Sequence, residues 1–412
     1  MKNLPKKYCK YCEPYPANSI HISERLANML PLYALQSFFI SINFFFRNRF
    51  PKLHYFFIKI FIEKFFDLMI FSNILQEIEI NDDDENLHNR SLVVIQAARL
   101  RGIKIKSLKM FGKFKTNFFT IIAKNKKSIF EGLPLLEIGR ASSIDFDDKL
   151  ILKQILKNYS LPFAEGYSFW NKKTAIKYAR ELGFPLVIKP RSGSLSKHTT
   201  CNIKNNNELQ KAINITQIIS RDFILEKFIA GDMYRITVIN NKIIACCLRE
   251  APNVIGDGIH TIEELINIKN DNPLRGDKNK KNFTLHKIII SEQTIIMLMN
   301  QNLTIKSILS LGNKIYLHNK IILACGADIH DKTDDVHPDN NMLFVKLASL
   351  LQAPIIGIDF ICQNISKTYR KQTCAIIEVN SLPYIDMHHF PVSGKSRDVA
   401  GYIVDHFLSL KQ

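Results

Sequence analysis

The sequence predicts an α+β fold with more than one domain. At 412 residues, 46% of them hydrophobic, the chain is long enough for two or three domains with their own cores. From about residue 91 onward, helical patterns that end at glycine or proline alternate with short apolar runs. Near the carboxyl end, the segments 355–364 and 375–383 have the length and composition of buried strands.

The predicted elements follow one another closely between residues 91 and 189. A helix is expected up to Gly102, because glycine commonly follows a last helical turn, and a strand is expected over 103–108. A capping box of Thr261 and Glu264 predicts a later helix over 262–268. The remaining expectations are strands over 118–123, 127–130 and 185–189, and helices over 147–158 and 174–182.

Residues 1–84 differ from the rest of the chain. The stretch from residue 30 to 71 is dense in phenylalanine but interrupted by charges, and its longest apolar run is too short to span a bilayer. We expect a helical extension that packs on the body of the protein or on a second copy in a homo-oligomer. Attachment of residues 30–71 to a membrane surface is the alternative. The acidic run 81–85 is a plausible domain boundary.

Charge and cysteine content exclude some classes of protein. The formal net charge is +18, but the basic residues are intermixed with acids rather than gathered in a stripe, so we expect no nucleic-acid partner. Eight cysteines in a chain of this length do not suggest a disulfide framework, and Cys9 and Cys12 form a single CxxC motif. No signal-peptide pattern is present, and we expect a cytoplasmic protein.

Three side chains in the two carboxyl-terminal strands interrupt apolar patterns. Asp359 lies within the run 355–361, and Glu378 and Asn380 share one face of their strand because side chains two apart point the same way. A buried carboxylate is costly unless it is compensated, and carboxylate and amide oxygens are ligands that Mg²⁺ accepts. Strand-end carboxylates turned to solvent remain the alternative for each segment alone. The two segments together favour a metal site.

A second group of polar residues lies in the middle of the chain. Lys189 ends an apolar strand immediately before a loop rich in Ser and Gly, where a lysine can reach phosphates while loop amides surround them. Residues 226–228 follow another strand and could offer backbone groups to a nucleotide base, and Arg235 lies on the strand after that.

In this order, the motifs resemble the ATP-grasp superfamily, in which two α+β subdomains close over ATP. The motifs are the DDK that ends at Lys149, the strand lysine Lys189, EKFIAG from Glu226, Asp359, and Glu378 with Asn380. Segments 249–277, 331–340 and 387–408 are similar to the ATP-grasp modules of cyanophycin synthetases and of bifunctional glutamate–cysteine ligase/glutathione synthetases. The resemblance implies a small α/β pre-ATP-grasp segment over 85–145 and an ATP-grasp domain over 146–412, with an insertion around 250–330.

The resemblance also implies a function. It implies an ADP-forming carboxylate–amine ligase that uses ATP and Mg²⁺, for which Mn²⁺ could substitute, and that activates an amino acid or short peptide as an acylphosphate. A nucleotide-binding or membrane-associated interaction protein is the alternative. The implied catalytic residues are Lys189, Arg235 and Arg397, the metal ligands are Asp359, Glu378 and Asn380, and the ATP-binding residues are Lys149, Lys189, Ser194, Glu226, Lys227, Phe228 and Asp232.

This chain departs from the resembling sequences in three places. Its phosphate loop has fewer glycines, and Met233 stands where an acidic residue is expected, with Asp232 one place early. Segment 316–328 has His318 and Lys320 where those sequences have an arginine and asparagines. We therefore expect an altered substrate, and an activity that falls as pH rises through the pKa of His318. The modules that accompany such domains in the two enzyme groups do not fit this chain, so we expect a stand-alone ligase.

Overall fold

The fold is seen in a computed structural model that describes residues 64–80, 87–123, 126–134, 144–191, 196–278 and 280–410. Most of the extension expected over residues 1–84 therefore lies outside the described residues, although residues 64–71 are helical. Within the described ranges, no helix has both the length and the hydropathy needed to cross a membrane.

The first sheet is an antiparallel meander of five strands. A helix, α1 (Asn89–Arg99), links its first two strands, and the carboxyl-terminal helix α8 (Val399–Ser409) packs on the same core. The Phe130 ring stacks on Phe119 and meets Phe407 of α8 edge-on. The strands are β1 (Leu75–Glu79), β2 (Lys104–Met110), β3 (Phe114–Ala123), β4 (Lys126–Glu131) and β5 (Leu133–Pro134). Because β1 belongs to this sheet, the sheet begins before the boundary expected at residue 84.

The second sheet has four antiparallel strands in the order β6-β9-β7-β8. One helix, α2 (Lys149–Asn158), precedes it, and two others, α3 (Lys172–Leu182) and α4 (Asn206–Thr216), share its apolar core. Asn171 and Asn205 cap the amino ends of α3 and α4, which fixes where these helices begin. The strands are β6 (Gly166–Phe169), β7 (Leu186–Pro190), β8 (Thr200–Ile203) and β9 (Phe223–Lys227).

The third sheet has five strands in the order β16-β11-β10-β17-β18, and its first strand in the sequence begins at Asp232, after a connection of four residues from the end of β9. Its apolar face packs against α7 (Pro338–Leu351) and α2, which gives the sheet one buried hydrophobic side. The strands are β10 (Asp232–Ile239), β11 (Lys242–Glu250), β16 (Asp328–Asp331), β17 (Ile355–Cys362) and β18 (Cys374–Asn380).

Between β11 and β16, which are neighbours in the sheet, the chain forms a small unit with its own core. The helix predicted from the Thr261–Glu264 capping box is confirmed as α5 (Ile262–Asn270), and the box is formed in both directions. The other elements of this unit are β12 (Asn253–Ile255), β13 (Arg275–Gly276), β14 (Leu285–His286), α6 (Glu292–Met299) and β15 (Lys314–Tyr316).

Candidate active site

The second face of the third sheet is polar where β17 meets the edge strand β18. Glu378 of β18 lies directly opposite Asp359 of β17 in the antiparallel register, and Asn380 lies opposite Gly357. Directly opposed residues of antiparallel strands point to the same face. The three predicted metal ligands Asp359, Glu378 and Asn380 therefore share one surface. The side chain of Glu378 is partly exposed, whereas that of Asp359 is largely buried.

A β-bulge separates this polar surface from the regular part of the ladder. The register shifts after Asp359, so that Phe360 pairs with Ile376 and Ile377 is the extra residue. Bulges are common beside functional sites because they turn side chains out of the regular alternation. Gly357 is needed here for space, since a Cβ at this position would lie 2.5 Å from Pro383 and 3.2 Å from Nη1 of Arg235.

Asp359 is held by two arginines. Its oxygens accept from Nε of Arg235 at 2.6 Å and from Nη2 at 3.2 Å, and Nη1 of Arg249 lies 3.6 Å away. Burial alone would raise the pKa of Asp359, but the two guanidinium groups outweigh it and hold the pKa below its usual range. Asp359 is therefore an ionised carboxylate that fixes Arg235 in place.

Lys149 approaches the same surface from α2. Its ammonium nitrogen lies 3.9 Å from Oε2 of Glu378, and burial lowers its pKa, an effect that the charge of Glu378 partly offsets. The two acids before it hold the amino end of α2. Asp147 accepts from the backbone nitrogen of Ser381 at 2.9 Å and from its hydroxyl at 2.6 Å.

The second acid of the DDK motif, Asp148, connects α2 to the second sheet. Asp148 caps α2 by accepting from the backbone nitrogen of Leu150 at 2.8 Å, and its other oxygen accepts from Nη2 of Arg191 at 2.8 Å. Arg191 follows the last residue of β7, the strand that carries Lys189. The motif thus attaches Lys149 to the end of β18 on one side and to β7 on the other.

Lys189 is paired with a buried carboxylate. Oε1 of Glu226 lies 2.6 Å from the nitrogen of Lys189, and Oε2 lies 2.6 Å from that of Lys153, which also donates to the carbonyl of Ala164 at 2.5 Å. Burial would raise the pKa of Glu226, but the two ammonium groups lower it below its ordinary value. The buried cluster of Lys153, Lys189 and Glu226 contains two cations and one carboxylate, so its net charge is positive.

Lys153 is not among the site residues predicted from the sequence, although a signal is present. It lies four residues after Lys149, and residues four apart lie on the same face of a helix. Both lysines are buried. A pair of lysines on the inner face of an amphipathic helix is unusual enough to mark a polar site.

In the segment from Glu226 to Phe228, two backbone nitrogens already donate hydrogen bonds within the protein. The backbone nitrogen of Lys227 donates to the carbonyl of Glu165 at 2.8 Å, and that of Phe228 donates to Pro185 at 3.0 Å. The Lys227 ammonium donates to the carbonyls of Leu182 and Gly183 at the end of α3. These two backbone nitrogens are engaged within the protein, and the expectation that residues 226–228 offer backbone groups to a base stays a prediction.

The three remaining predicted site residues are Asp232, Ser194 and Arg397. Asp232 is exposed at the start of β10, and partial desolvation of its carboxyl, together with the charge of Glu250, raises its pKa. Ser194 lies outside the described residues. Arg397 binds Asp331 and Asp334, at the opposite edge of the sheet from Glu378. Its guanidinium is thus engaged by two carboxylates, which corrects the expectation that it faces a phosphoryl or carboxylate group.

The structure also corrects the expectation for His318. The imidazole is buried, Nδ1 accepts from the backbone nitrogen of Lys320 at 2.9 Å, and burial lowers its pKa below the ordinary value. A buried, neutral His318 does not supply the protonated group that the sequence suggested. Lys320 instead reaches the phosphate-loop region, where its ammonium donates to the carbonyl of Ser196 at 3.1 Å.

A separate carboxylate cluster does not fit a metal ion. Glu250, Asp328 and His330 lie close enough together to hold a cation, but Lys269 lies 2.6 Å from Asp328 and Arg275 also binds that carboxylate. Glu250 in turn accepts from Lys314. The positive charges already present would repel a divalent ion, so we assign this cluster to the structure of the insertion.

Comparisons with known proteins agree with this arrangement. No family model matches the chain. It is 35% identical over 268 residues to cyanophycin synthetase from Crocosphaera subtropica, covering 63% of this chain and 30% of that protein. It is 33% identical over 267 residues to the glutathione biosynthesis bifunctional protein GshAB from Clostridium perfringens, covering 64% and 34%. The chain thus spans about a third of the length of these relatives.

A solved structure extends the similarity to the fold. The bifunctional glutathione synthetase from Pasteurella multocida matches 78% of this chain and 43% of its own, with a TM-score of 0.60 and 25% identity. The chain thus resembles these ligases in sequence and has the ATP-grasp fold. The expected ATP-grasp fold of two α+β subdomains is confirmed, with the β6–β9 sheet and the β16-β11-β10-β17-β18 sheet as its two halves. ATP-grasp ligases in general use ATP and a divalent metal ion.

The donor set around Glu378 fits such an ion. Glu378 and Asn380 present oxygen ligands on one face, and Nδ2 of Asn380 is buried with no hydrogen-bond partner among the described residues. An amide whose nitrogen has no acceptor fits equally with its oxygen turned into the site. Asp359 shares the face but already binds Arg235, so Glu378 and Asn380 are the stronger candidates for holding an ion.

Proposed function

We propose that this protein is an ATP-dependent carboxylate–amine ligase that forms an amide bond through an acylphosphate. The observation that carries the proposal is the meeting of two groups from the two ATP-grasp halves. Lys189 belongs to the half that contains the second sheet, and its charge acts on Lys149 and Asp359. Lys149 lies on α2, which packs against the third sheet, and the polar face with Glu378 and Asn380 belongs to that sheet. Such a set suits phosphoryl transfer, in which positioning and charge neutralisation supply most of the catalysis.

The proposed reaction has two steps. A carboxylate oxygen of the first substrate attacks the γ-phosphorus of ATP, the bond from that phosphorus to the bridging oxygen breaks, and ADP leaves. The nitrogen of the amine then attacks the acyl carbon, the carbon–oxygen bond to phosphate breaks, and inorganic phosphate leaves while the amine loses a proton to water. No covalent enzyme intermediate is needed, in keeping with a site of lysines, arginines and carboxylates.

Each group of residues has a proposed role. Lys149 and Lys189 neutralise the phosphates, and the shared carboxylate of Glu226 holds Lys189 in place without cancelling the excess positive charge. Nη1 of Arg235 lies beside Gly357. It has no hydrogen-bond partner in the described part of the chain. We assign this nitrogen, with Arg249, to the substrate carboxylate or to the transferred phosphoryl group.

A divalent ion, Mg²⁺ with Mn²⁺ as a substitute, would be held by Glu378 and Asn380. When bound, it would neutralise phosphate charge and help orient the phosphoryl group. Asp359 would act on it mainly through charge, because its oxygens are engaged by Arg235. The cytoplasmic location, the homo-oligomer and the contact of residues 30–71 with a membrane surface stay predictions.

The proposal is tested by measuring ADP release with and without Mg²⁺ on a matrix of amino acids and dipeptides, each offered as carboxylate and as amine. We expect Mg²⁺-dependent ADP release that requires both substrates. Lys189→Met should abolish it, whereas Lys204→Met, a lysine exposed after β8, should not. Nucleotide binding without ADP release on the whole matrix would favour the interaction protein over the ligase.

A further inference from the structure

Apolar side chains are exposed on the first sheet, which carries none of the predicted site residues. The helix over residues 64–71 packs one of its sides on that sheet, where Phe66 is buried in a small apolar core. Its other side exposes Phe65, Leu68 and Phe71, the last of which is 88% exposed. A helix with apolar side chains on both sides is typically covered on both.

The turn between β2 and β3 extends this apolar surface. The backbone nitrogen of Phe111 donates to the carbonyl of Ile74 at 2.7 Å, which places the turn beside the chain that leaves the helix. Exposed apolar patches on a protein surface commonly mark a site of contact with a partner. We call this surface the outer patch, and its exposed members are Phe65, Leu68, Phe71, Met110 and Phe111.

The backbone conformation of Phe111 is unusual for an aromatic residue. Its φ is 51° and that of Gly112 is 67°, and the backbone nitrogen of Lys113 donates to the carbonyl of Met110 at 3.2 Å, as in a type I′ turn. Asn, Asp or Gly normally takes the first central position of such a turn, because a positive φ is costly for a bulky residue. Burial does not offset this cost, since Phe111 is 57% exposed. The ring therefore fits a contact that the described part of the chain does not supply.

The charge around the outer patch is mostly basic. Together, β2, the turn and the first two residues of β3 contain five lysines and no acid, and Lys109 and Lys113 are nearest to the turn. Glu77 of the neighbouring β1 is paired with two lysines. In the helix, the charge of Lys64 offsets that of Asp67. The apolar patch thus has a positive rim.

The sequence that precedes the helix has the same character. Residues 26–62, which lie outside the described residues, contain four Lys or Arg and no Asp or Glu, and nine phenylalanines fall within residues 38–61. Apolar segments that carry basic charge bind anionic lipid surfaces. A second copy of the chain, or residues 26–62 of the same chain, would instead bring like charges together at the patch.

We infer that the outer patch docks on the surface of an anionic lipid bilayer. Its aromatic and aliphatic side chains enter the boundary between head groups and acyl chains, and Lys109 and Lys113 meet the lipid phosphates. The inference does not depend on the proposed ligase function, because the patch and the candidate active site lie on different sheets.

The first test measures binding of the whole chain to vesicles by co-sedimentation. One set of vesicles contains phosphatidylcholine alone, and the other contains phosphatidylserine mixed with phosphatidylcholine. We expect binding to the anionic vesicles to be tighter by about tenfold or more, and to weaken as salt is raised. Equal binding to both sets, or no binding to either, would overturn the inference.

The second test replaces the aromatic residue of the turn. Phe111→Asn installs a residue that this turn position favours, so the variant should fold with an unchanged or higher thermal midpoint. It should nevertheless weaken binding to anionic vesicles several-fold. The matched control is Leu100→Asn, at an exposed residue that ends α1, the helix on the opposite side of the first sheet, and it should bind as the wild type does.

The third test reverses charge in the rim. The double variant Lys109→Glu with Lys113→Glu should lose most of its binding to anionic vesicles, whereas Lys211→Glu, at an exposed lysine of α4, should bind as the wild type does. Unchanged binding by Phe111→Asn or by the double variant would overturn the inference. A dimer seen by sedimentation without lipid, and dissociated by Phe111→Asn, would assign the patch to a second copy and would also overturn it.

Discussion

Lys189 and Glu226 form a buried ion pair, with the ammonium nitrogen 2.6 Å from Oε1. The second oxygen of the same carboxylate binds Lys153, so one glutamate holds two lysines from different elements. The backbone of Glu226 pairs with β6 and β7, which fixes the carboxylate in the middle of its sheet. The lysine that we propose to contact phosphate is thus held in position by the fold itself.

Removing the shared carboxylate should destabilise the protein more than removing one of its cations. Glu226→Gln leaves two buried ammonium groups without a counter-charge, and we expect it to lower the free energy of unfolding by about 3–5 kcal/mol. Lys153→Met leaves the Lys189–Glu226 pair intact and should cost clearly less. Urea unfolding of both variants measures the difference. Equal losses would contradict the central position of Glu226.

The same group predicts a dependence of stability on pH. The folded pKa of Glu226 is lower than its unfolded value, so its contribution is fully present above the unfolded pKa of about 4.3 and is lost as pH falls through the folded pKa. Below about pH 4 the wild type should therefore lose stability more steeply than Glu226→Gln. Parallel unfolding curves over this range would show that the carboxylate is not preferentially ionised in the folded state.

His318 should not control activity near neutral pH. Its folded pKa is below the ordinary value of about 6.5, so the imidazole stays neutral as pH rises from about 7 to about 8. The pH–rate profile of His318→Gln should have the same shape over that range as that of the wild type. The opposite result would be a wild-type activity that falls with rising pH while the activity of the variant stays level. It would support the pH-dependent role of His318 that the sequence suggested.

Glu378 should be needed for turnover but not for folding. It is partly exposed, and its nearest cation, Lys149, is 3.9 Å away, so Glu378→Gln removes a weak ion pair and a proposed metal ligand. We expect loss of Mg²⁺-dependent ADP release and a change of less than about 1 kcal/mol in stability. Glu263→Gln, which removes an exposed pair with Lys306, is the matched control and should keep activity. Equal activity of the two variants would show that Glu378 is not needed for turnover.

Local sequence patterns predicted the elements that carry the site, because their signals are local. The apolar runs around Asp359 and Glu378 predicted two strands, and the alternation of side chains put Glu378 and Asn380 on one face. The DDK motif began the expected helix, with Asp148 as its cap. The role of Asp147 could not be predicted, because its partner Ser381 is distant in the sequence.

Other features depend on pairing across the sheets, which no local pattern encodes. The bulge at Ile377 follows from the register of two strands, and the contact between Arg235 and Asp359 follows from that of β10 and β17. Glu226 was predicted as an ATP-binding residue, but the contact of its side chain with Lys153, on a helix far back in the sequence, was not predicted. Burial of His318 likewise depends on neighbours that the sequence does not place.

The most direct test of the ligase reaction follows oxygen from the substrate carboxylate. The carboxylate substrate that supports ADP release is labelled with ¹⁸O on both oxygens, and the phosphate released is examined by mass spectrometry. An acylphosphate transfers one labelled oxygen to each phosphate, so we predict singly labelled inorganic phosphate, with ADP as the nucleotide product. Unlabelled phosphate, or AMP and pyrophosphate as products, would contradict the proposed reaction.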